Sequence, residues 1–353
     1  MRKTALLIAA LACAAVSLAA AGVSGAAVDG GAKATAGTLV GAGATFPYPL
    51  ISKWIPAYEQ AQGTQVNYSP IGSGGGIAAI TARTVDFGAS DAPMSPDQFT
   101  ACKGCVQIPW ALSATAVIYN VPGAPQGLKL TPALIAQMYL GSVQKWNAPG
   151  IKKLNPGVNL PDTKITPVYR SDGSGSTYAF TDYLSAVSPQ WKSKVGKNTS
   201  VNFPAGTGAR GSSGVAGVVK STAGALTYVD AAYSITNKFQ FALIQNRAGG
   251  FATPGVRGVT AALSTLPKKV TNLSQLKIVD PPKSAGKKAY PISTFTYVIV
   301  PTNSGDKAAD LRKFVYWAVT AGQKFAPPLF FVPMPASVNG FVYREIKKIQ
   351  AGN

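Results

Sequence analysis

Histidine is absent from all 353 residues. A chain without imidazole cannot run a Ser-His-Asp or Cys-His mechanism, nor offer a ring nitrogen to a metal. Acidic residues are scarce, 13 against 33 Lys and Arg, so few carboxylates remain for metal-assisted hydrolysis. Most hydrolase readings weaken together, and neither enzyme activity nor a cofactor or metal is expected. Cysteine is limited to Cys13, Cys102 and Cys105. Long apolar runs are missing too, apart from one near the amino terminus.

That run, residues 5–21, is rich in Ala and Leu; Arg2 and Lys3 precede it, and Ser24, Gly25 and Ala26 follow. This is the layout of a secretory signal peptide, too short and Ala-rich for a permanent membrane span. Cleavage between Ala21 and Ala27 makes 1–27 the signal peptide and 28–37 a flexible leader. Cys13 raises lipoprotein processing as an alternative, but Ala10-Leu11-Ala12 fit that pattern poorly and the apolar run continues past it. The mature protein is therefore expected outside the cytoplasm, periplasmic or extracellular and associated with the cell envelope. There the C-x-x-C pair Cys102 and Cys105 reads as a local disulfide. A redox motif or half a zinc site are the alternatives, although no second Cys pair or His is present to complete a metal site.

The formal charge is +20, falling to +18 without Arg2 and Lys3. Such a value invites a nucleic-acid reading. The lysines are scattered, however, as in Lys152-Lys153, Lys268-Lys269 and Lys347-Lys348, with no aromatic-interleaved stripe. A solvated basic surface that steers anions fits better, and nucleic acid is not an expected partner.

Strand-like and helix-like segments alternate along the chain, which predicts α/β architecture. Strands are expected over 38–41, 65–71, 85–89, 106–109, 114–120, 165–170, 225–229 and 295–300. Helices are expected over 50–62, 77–82, 132–140, 177–188, 212–221 and 308–321, with Pro56 kinking the first. In the last, Leu311, Phe314, Val315, Ala318 and Val319 form one continuous apolar face, a core-packing signal.

The most informative run is Arg170-Ser171-Asp172-Gly173-Ser174-Gly175-Ser176. A strand before it and a helix after it aim free N–H groups and a helix dipole at one point. Glycines let an anion approach the backbone, serines add donors, and Arg170 adds a charged planar fork. Taken alone, the run reads equally as a Gly/Ser turn capping a helix. It is not a nucleotide P-loop, because the Lys after the last Gly is missing. Two further junctions, Gly41 to Pro47 and Gly72 to Gly76, share the strand–turn–helix pattern. Three such junctions suggest one pocket beyond the carboxyl ends of strands.

Gly41-Ala42-Gly43-Ala44-Thr45-Phe46-Pro47, Gly72-Ser73-Gly74-Gly75, the stretch Val85 to Pro93 and Arg170 to Ser176 occur in the order and spacing of one family. Tyr139-Leu140-Gly141, Lys145-Trp146 and Leu154-Asn155-Pro156-Gly157 agree with it. The chain resembles the phosphate-binding proteins of the bacterial phosphate-specific ABC transport system (PstS type), from about residue 38 to the final helix.

The resemblance implies a two-lobed periplasmic-binding-protein-like fold with hinge strands and a ligand cleft between the lobes. Lobe I would comprise 38–120 and 292–353, and lobe II 121–291. The crossing strands would be 114–120 and the one near 292–300. The implied function is capture of inorganic phosphate and its delivery to the membrane permease subunits, by a monomer. Carried over residue by residue, the phosphate ligands fall on Thr45, Phe46, Ser73, Asp91, Arg170, Ser174, Gly175 and Ser176, with Asp172 supporting Arg170. Two departures appear. Ser176 stands where Thr is usual and keeps the hydroxyl; Gly74 stands where Ser is common. Asp91 has a physical rationale: an ionised carboxylate accepts a hydrogen bond from a phosphate O–H but repels fully ionised sulfate. An extracellular phosphatase of PstS-like fold and a surface protein binding anionic polymers are the alternatives.

Overall fold

The computed structural model describes residues 37–352, so the expected signal peptide, Cys13 and all but the last residue of the leader lie outside the described residues. The chain enters through β1 (Thr38–Gly43), α1 (Tyr48–Gln62), β2 (Gln65–Ser69), α2 (Ser73–Thr81), β3 (Phe87–Ser90) and α3 (Pro96–Ala101), then the long strand β4 (Cys105–Tyr119). It continues through β5 (Lys129–Leu130), α4 (Pro132–Tyr139), α5 (Pro149–Leu154), β6 (Thr166–Arg170), α6 (Gly175–Val187), α7 (Pro189–Lys194), β7 (Thr207–Ala209), α8 (Gly211–Ser221), β8 (Ala225–Asp230) and α9 (Ala231–Thr236). Short strands β9 (Gln240–Phe241), β10 (Leu243–Gln245) and β11 (Phe251–Ala252) lead to α10 (Val256–Leu263). After a stretch with two 3₁₀ turns come β12 (Ser293–Pro301), α11 (Ala308–Val319) and α12 (Ala336–Lys347).

The main sheet has the order β2-β1-β3-β12-β4-β8-β6-β7, with β9 also on β4. Its organising member is β4. Residues 105–114 pair antiparallel with β12, whereas Thr115 to Tyr119 pair antiparallel with β8. One strand thus serves two half-sheets, each extended by parallel pairs: β1 with β2 and β3 on one side, β6 with β7 and β8 on the other.

Two strands, 106–109 and 114–120, were expected where β4 is one. Every residue from Val106 to Tyr119 is buried, so the run lacks the alternation of a half-solvated strand. Pro109 lacks an N–H and suggests a break. The ladder absorbs it instead, with a register shift opposite, between Thr296 and Tyr297; such a bulge lets pairing continue past an irregular residue.

Helix α1 runs through Pro56 to Gln62 and ends at Gly63 in the left-handed region, φ 73°, a common helix stop. In α11 the residues of the expected apolar face are all buried. They join one large core cluster that runs from Leu39 to Ile349 and draws on both half-sheets. Cys102 and Cys105 form a disulfide at the end of α3. The Arg83 guanidinium lies 3.4 and 3.5 Å from the two sulfurs. Among the described residues no helix is long and apolar enough to cross a membrane.

The expected helix at 77–82 begins earlier, at Ser73. Gly74 to Gly76 thus belong to its first turn, not to a preceding loop. Glycine is a poor helix former, which hides this start from propensity, but packing demands it. A β carbon on Gly76 would lie 2.5 Å from Gly43 Cα and 2.7 Å from Ala89 O, and one on Gly74 would lie 3.1 Å from Gly173 Cα. The first turn of α2 is therefore wedged between the β1 and β3 ends and the turn after β6.

Candidate functional site

Three helices start at one place. α2 begins at Ser73, α6 at Gly175 with Ser174 as its cap, and α8 at Gly211; each follows the carboxyl end of a parallel strand. α1 begins close by, three residues after Thr45. Helix starts carry unpaired N–H groups and a positive partial charge, so their convergence favours an anion.

The half-sheets meet across this point. Gly74 N donates to Gly173 O at 2.9 Å, and Gly175 N donates to Ser73 Oγ at 3.0 Å. Thr45 and Ser212 share a hydrogen bond at 2.9 Å, and Arg170 Nη1 donates to Thr45 Oγ1 at 3.1 Å. Ser73, Asp91, Arg170, Ser174 and Ser176 are all buried, as are Phe46 and Gly175, while Thr45 is half-buried. Of the eight residues expected from the sequence, Thr45 with Arg170 and Ser73 with Asp91 and Gly175 are brought into contact, while Phe46, Ser174 and Ser176 adjoin them along the chain.

Arg170 is a fixed charge. Its Nε donates to Asp172 Oδ1 at 2.6 Å, and its Nη2 to Asp172 Oδ2. Asp172 also accepts from Gly211 N at 3.0 Å, which ties the guanidinium to the start of α8. Burial pushes the Asp172 carboxyl up, but hydrogen bonds from Arg170 and its charge outweigh burial and leave it below the usual range. The Arg170 amide donates to Tyr228 Oη at 3.2 Å, whose other partner is Thr177 Oγ1 at 2.7 Å. Both ends of Arg170 are therefore held.

Asp91 is only 2 % exposed. Its amide donates to Ser73 Oγ at 3.2 Å, yet its Oδ1 is buried without a hydrogen-bond partner, as is Ser176 Oγ. Burial pushes the Asp91 carboxyl up to about 7, against the lowering influence of the nearby Thr296 hydroxyl, the Arg170 charge and Ser73. A buried polar atom left unpaired costs about 1–3 kcal/mol. An acceptor and a hydroxyl left open beside a guanidinium and helix starts can take a small ligand carrying both negative charge and a proton.

Ser212, Tyr228 and Thr296 also shape the site and were not among the residues expected there. Ser212 had a signal: Arg210-Gly211-Ser212-Ser213-Gly214 repeats the Gly/Ser turn between strand and helix seen at the other junctions. Tyr228 and Thr296 had none, since each reads as an ordinary strand residue.

Two half-sheets sharing a crossing strand, with helix starts meeting at the cleft, define a two-lobed binding protein. The family model described as the PBP superfamily domain matches residues 30–321. The phosphate-binding protein PstS of Xylella fastidiosa (strain Temecula1 / ATCC 700964) is 41 % identical over 314 residues, 88 % of this chain and 83 % of that one. PstS of Pasteurella multocida (strain Pm70) is 38 % identical over 321 residues, 90 % of each chain. Among solved structures, a high-affinity periplasmic phosphate-binding protein (PfluDING) bound with phosphate superposes with TM-score 0.70 at 20 % identity, over 87 % of this chain and 93 % of that one. A phosphate-binding protein from Stenotrophomonas maltophilia superposes with TM-score 0.66 at 18 % identity, with the same coverage. The chain belongs to the PstS family of phosphate-binding proteins within the PBP superfamily.

Proposed function

We propose that this protein captures inorganic phosphate outside the cytoplasm and delivers it to the permease subunits of an ABC transporter, without covalent chemistry. Thr45, Phe46, Ser73, Asp91, Arg170, Ser174, Gly175 and Ser176 form the ligand shell, and Asp172 fixes Arg170. Residues 38–120 with 292–353 act as one lobe and 121–291 as the other, closing by a hinge in the crossing strands. The protein works as an exported monomer after loss of residues 1–27.

The observation that carries this reading is the Asp91 carboxylate, buried with one oxygen unpaired beside Arg170. A carboxylate in an anion site repels its ligand unless the ligand brings a proton. Phosphate near neutrality carries one or two; sulfate carries none. Asp91 then accepts a phosphate O–H, while Arg170, the Ser73 and Ser176 hydroxyls and the helix starts face the unprotonated oxygens. Sites that demand a hydrogen-bonding partner discriminate by ~10⁴-fold or more. The lack of His leaves no imidazole to turn the same pocket into an esterase.

Calorimetric titration with phosphate, sulfate and a phosphate monoester tests the reading. One tight site for phosphate, no heat from sulfate and no monoester turnover is the expected result. Comparable affinity for sulfate defeats it, as does ester hydrolysis that depends on these residues.

A further inference from the structure

Behind the cleft lies a second buried carboxyl that the ligand shell does not use. Asp230, the last residue of β8, is 0 % exposed. Its Oδ1 accepts from Tyr233 N at 2.6 Å, capping α9, while Oδ2 is buried with no partner. Directly opposite in the β4–β8 register stands Thr115, whose Oγ1 is likewise buried and unpartnered. Cross-strand partners place their β carbons about 5 Å apart. No donor therefore reaches Asp230 Oδ2, and a buried carboxylate oxygen without one is disfavoured, whereas the protonated acid carries its own hydrogen.

The charge balance points the same way. Arg170 is already matched by Asp172, and Asp91 is a further acid in the same buried region. Asp230 lies within electrostatic reach of both Asp91 and Arg170. If phosphate enters this region, an ionised Asp230 adds a negative charge that no buried cation offsets, and unpaired buried charge is strongly disfavoured. The remaining neighbours do not supply one. α9 brings Tyr233, whose phenol is pushed up mainly by burial. β4 offers Thr115 and no charge beside it, and α8 has Lys220 at its far end with Arg210 ahead of its start.

We infer that Asp230 is a positioning residue for phosphate capture: a neutral carboxylic acid opposite Thr115, leaving Asp91 as the one carboxylate that meets the ligand's proton. The inference rests on the phosphate reading. Burial pushes the Asp230 carboxyl up to about 8, against the hydrogen bond from Tyr233 N. The affinity for phosphate should therefore weaken as alkali ionises Asp230.

The test is the phosphate dissociation constant from pH 6.5 to 9.5 for the wild type, Asp230→Asn and Asp230→Ser. Both replacements are neutral and both cap helices well, so each serves if the other fails to fold. Phosphate's own ionisation is common to all three and drops out of their ratios. The variants should match the wild type within about twofold at pH 6.5 and bind at least about tenfold more tightly than it at pH 9.5, since each unit of pH beyond the acid's midpoint is a factor of ten. A ratio that does not change with pH overturns the inference. If the wild type binds no phosphate at any pH, the phosphate reading fails instead. The charge of Asp230 is then read from the infrared carboxylic C=O band of the unliganded protein at pH 7, present in the wild type and diminished in either variant; no difference between them overturns the inference.

Discussion

Gly175 and Asp91 sit so close that no side chain fits between them: a β carbon on Gly175 would lie 2.6 Å from Asp91 Oδ2 and from Ser73 Oγ. The start of α6, from one half-sheet, is pressed onto a carboxylate from the other. The positive end of the helix dipole is favourable there, and the contact exists only when the halves are together. Gly175 thus joins the two half-sheets as well as donating from its backbone to Ser73 Oγ.

Gly175→Ala should fold but bind phosphate at least about tenfold more weakly, because an added methyl in a tight contact costs about 1–3 kcal/mol. Calorimetry reads the affinity and circular dichroism the fold. Wild-type affinity in the variant would mean that the ligand is held without this contact.

Arg170→Lys tests geometry apart from charge. The guanidinium serves Asp172 through two nitrogens and Thr45 through a third, a fork that an ammonium cannot reproduce. Losing a desolvated charged contact costs roughly 2–5 kcal/mol, so Arg170→Ala should lose phosphate binding by at least about thirtyfold, and Arg170→Lys should recover only part of it. Full recovery by Lys would reduce the role of Arg170 to simple charge.

The unliganded protein should lose stability as pH rises from 5 to 8. Asp91 moves from an ordinary 3.8 up to about 7, and Asp230 up to about 8, both chiefly through burial. The folded state then holds protons that the unfolded state has released. The stabilisation is complete below the unfolded value near 3.8 and is lost as pH climbs through the folded values. No histidine titrates in this window, so the two carboxyls dominate it. Melting temperature against pH in phosphate-free buffer should slope downward, and less steeply in Asp91→Asn. A rising profile would show that these carboxyls are ionised throughout.

The strand–turn–helix junctions were legible because glycine and serine clusters are local signals, and the α11 face because helical periodicity is local too. The early start of α2 was not, since Gly74 is forced by a contact with Gly173, roughly 100 residues later, and Gly76 by one with Gly43, roughly 30 residues earlier. Continuity of β4 through Pro109 depends on a bulge at Trp110 against Thr296 and Tyr297 of β12, nearly two hundred residues later. Asp230 was invisible for a similar reason: in the sequence it is a plain helix cap, and only the fold places it behind Asp91. Local chemistry is written in short segments, whereas long-range packing is written only in the assembled structure.

The central claim, recognition of a protonated anion by Asp91, is tested most directly by the ratio of phosphate to sulfate affinity in Asp91→Asn against the wild type. The amide still accepts through its oxygen, but it also donates and carries no charge. Phosphate affinity should change modestly and discrimination should collapse, as sulfate gains a donor and loses a repulsion. A variant that keeps the wild-type ratio would contradict it, and selectivity would then have to come from the shape of the cavity.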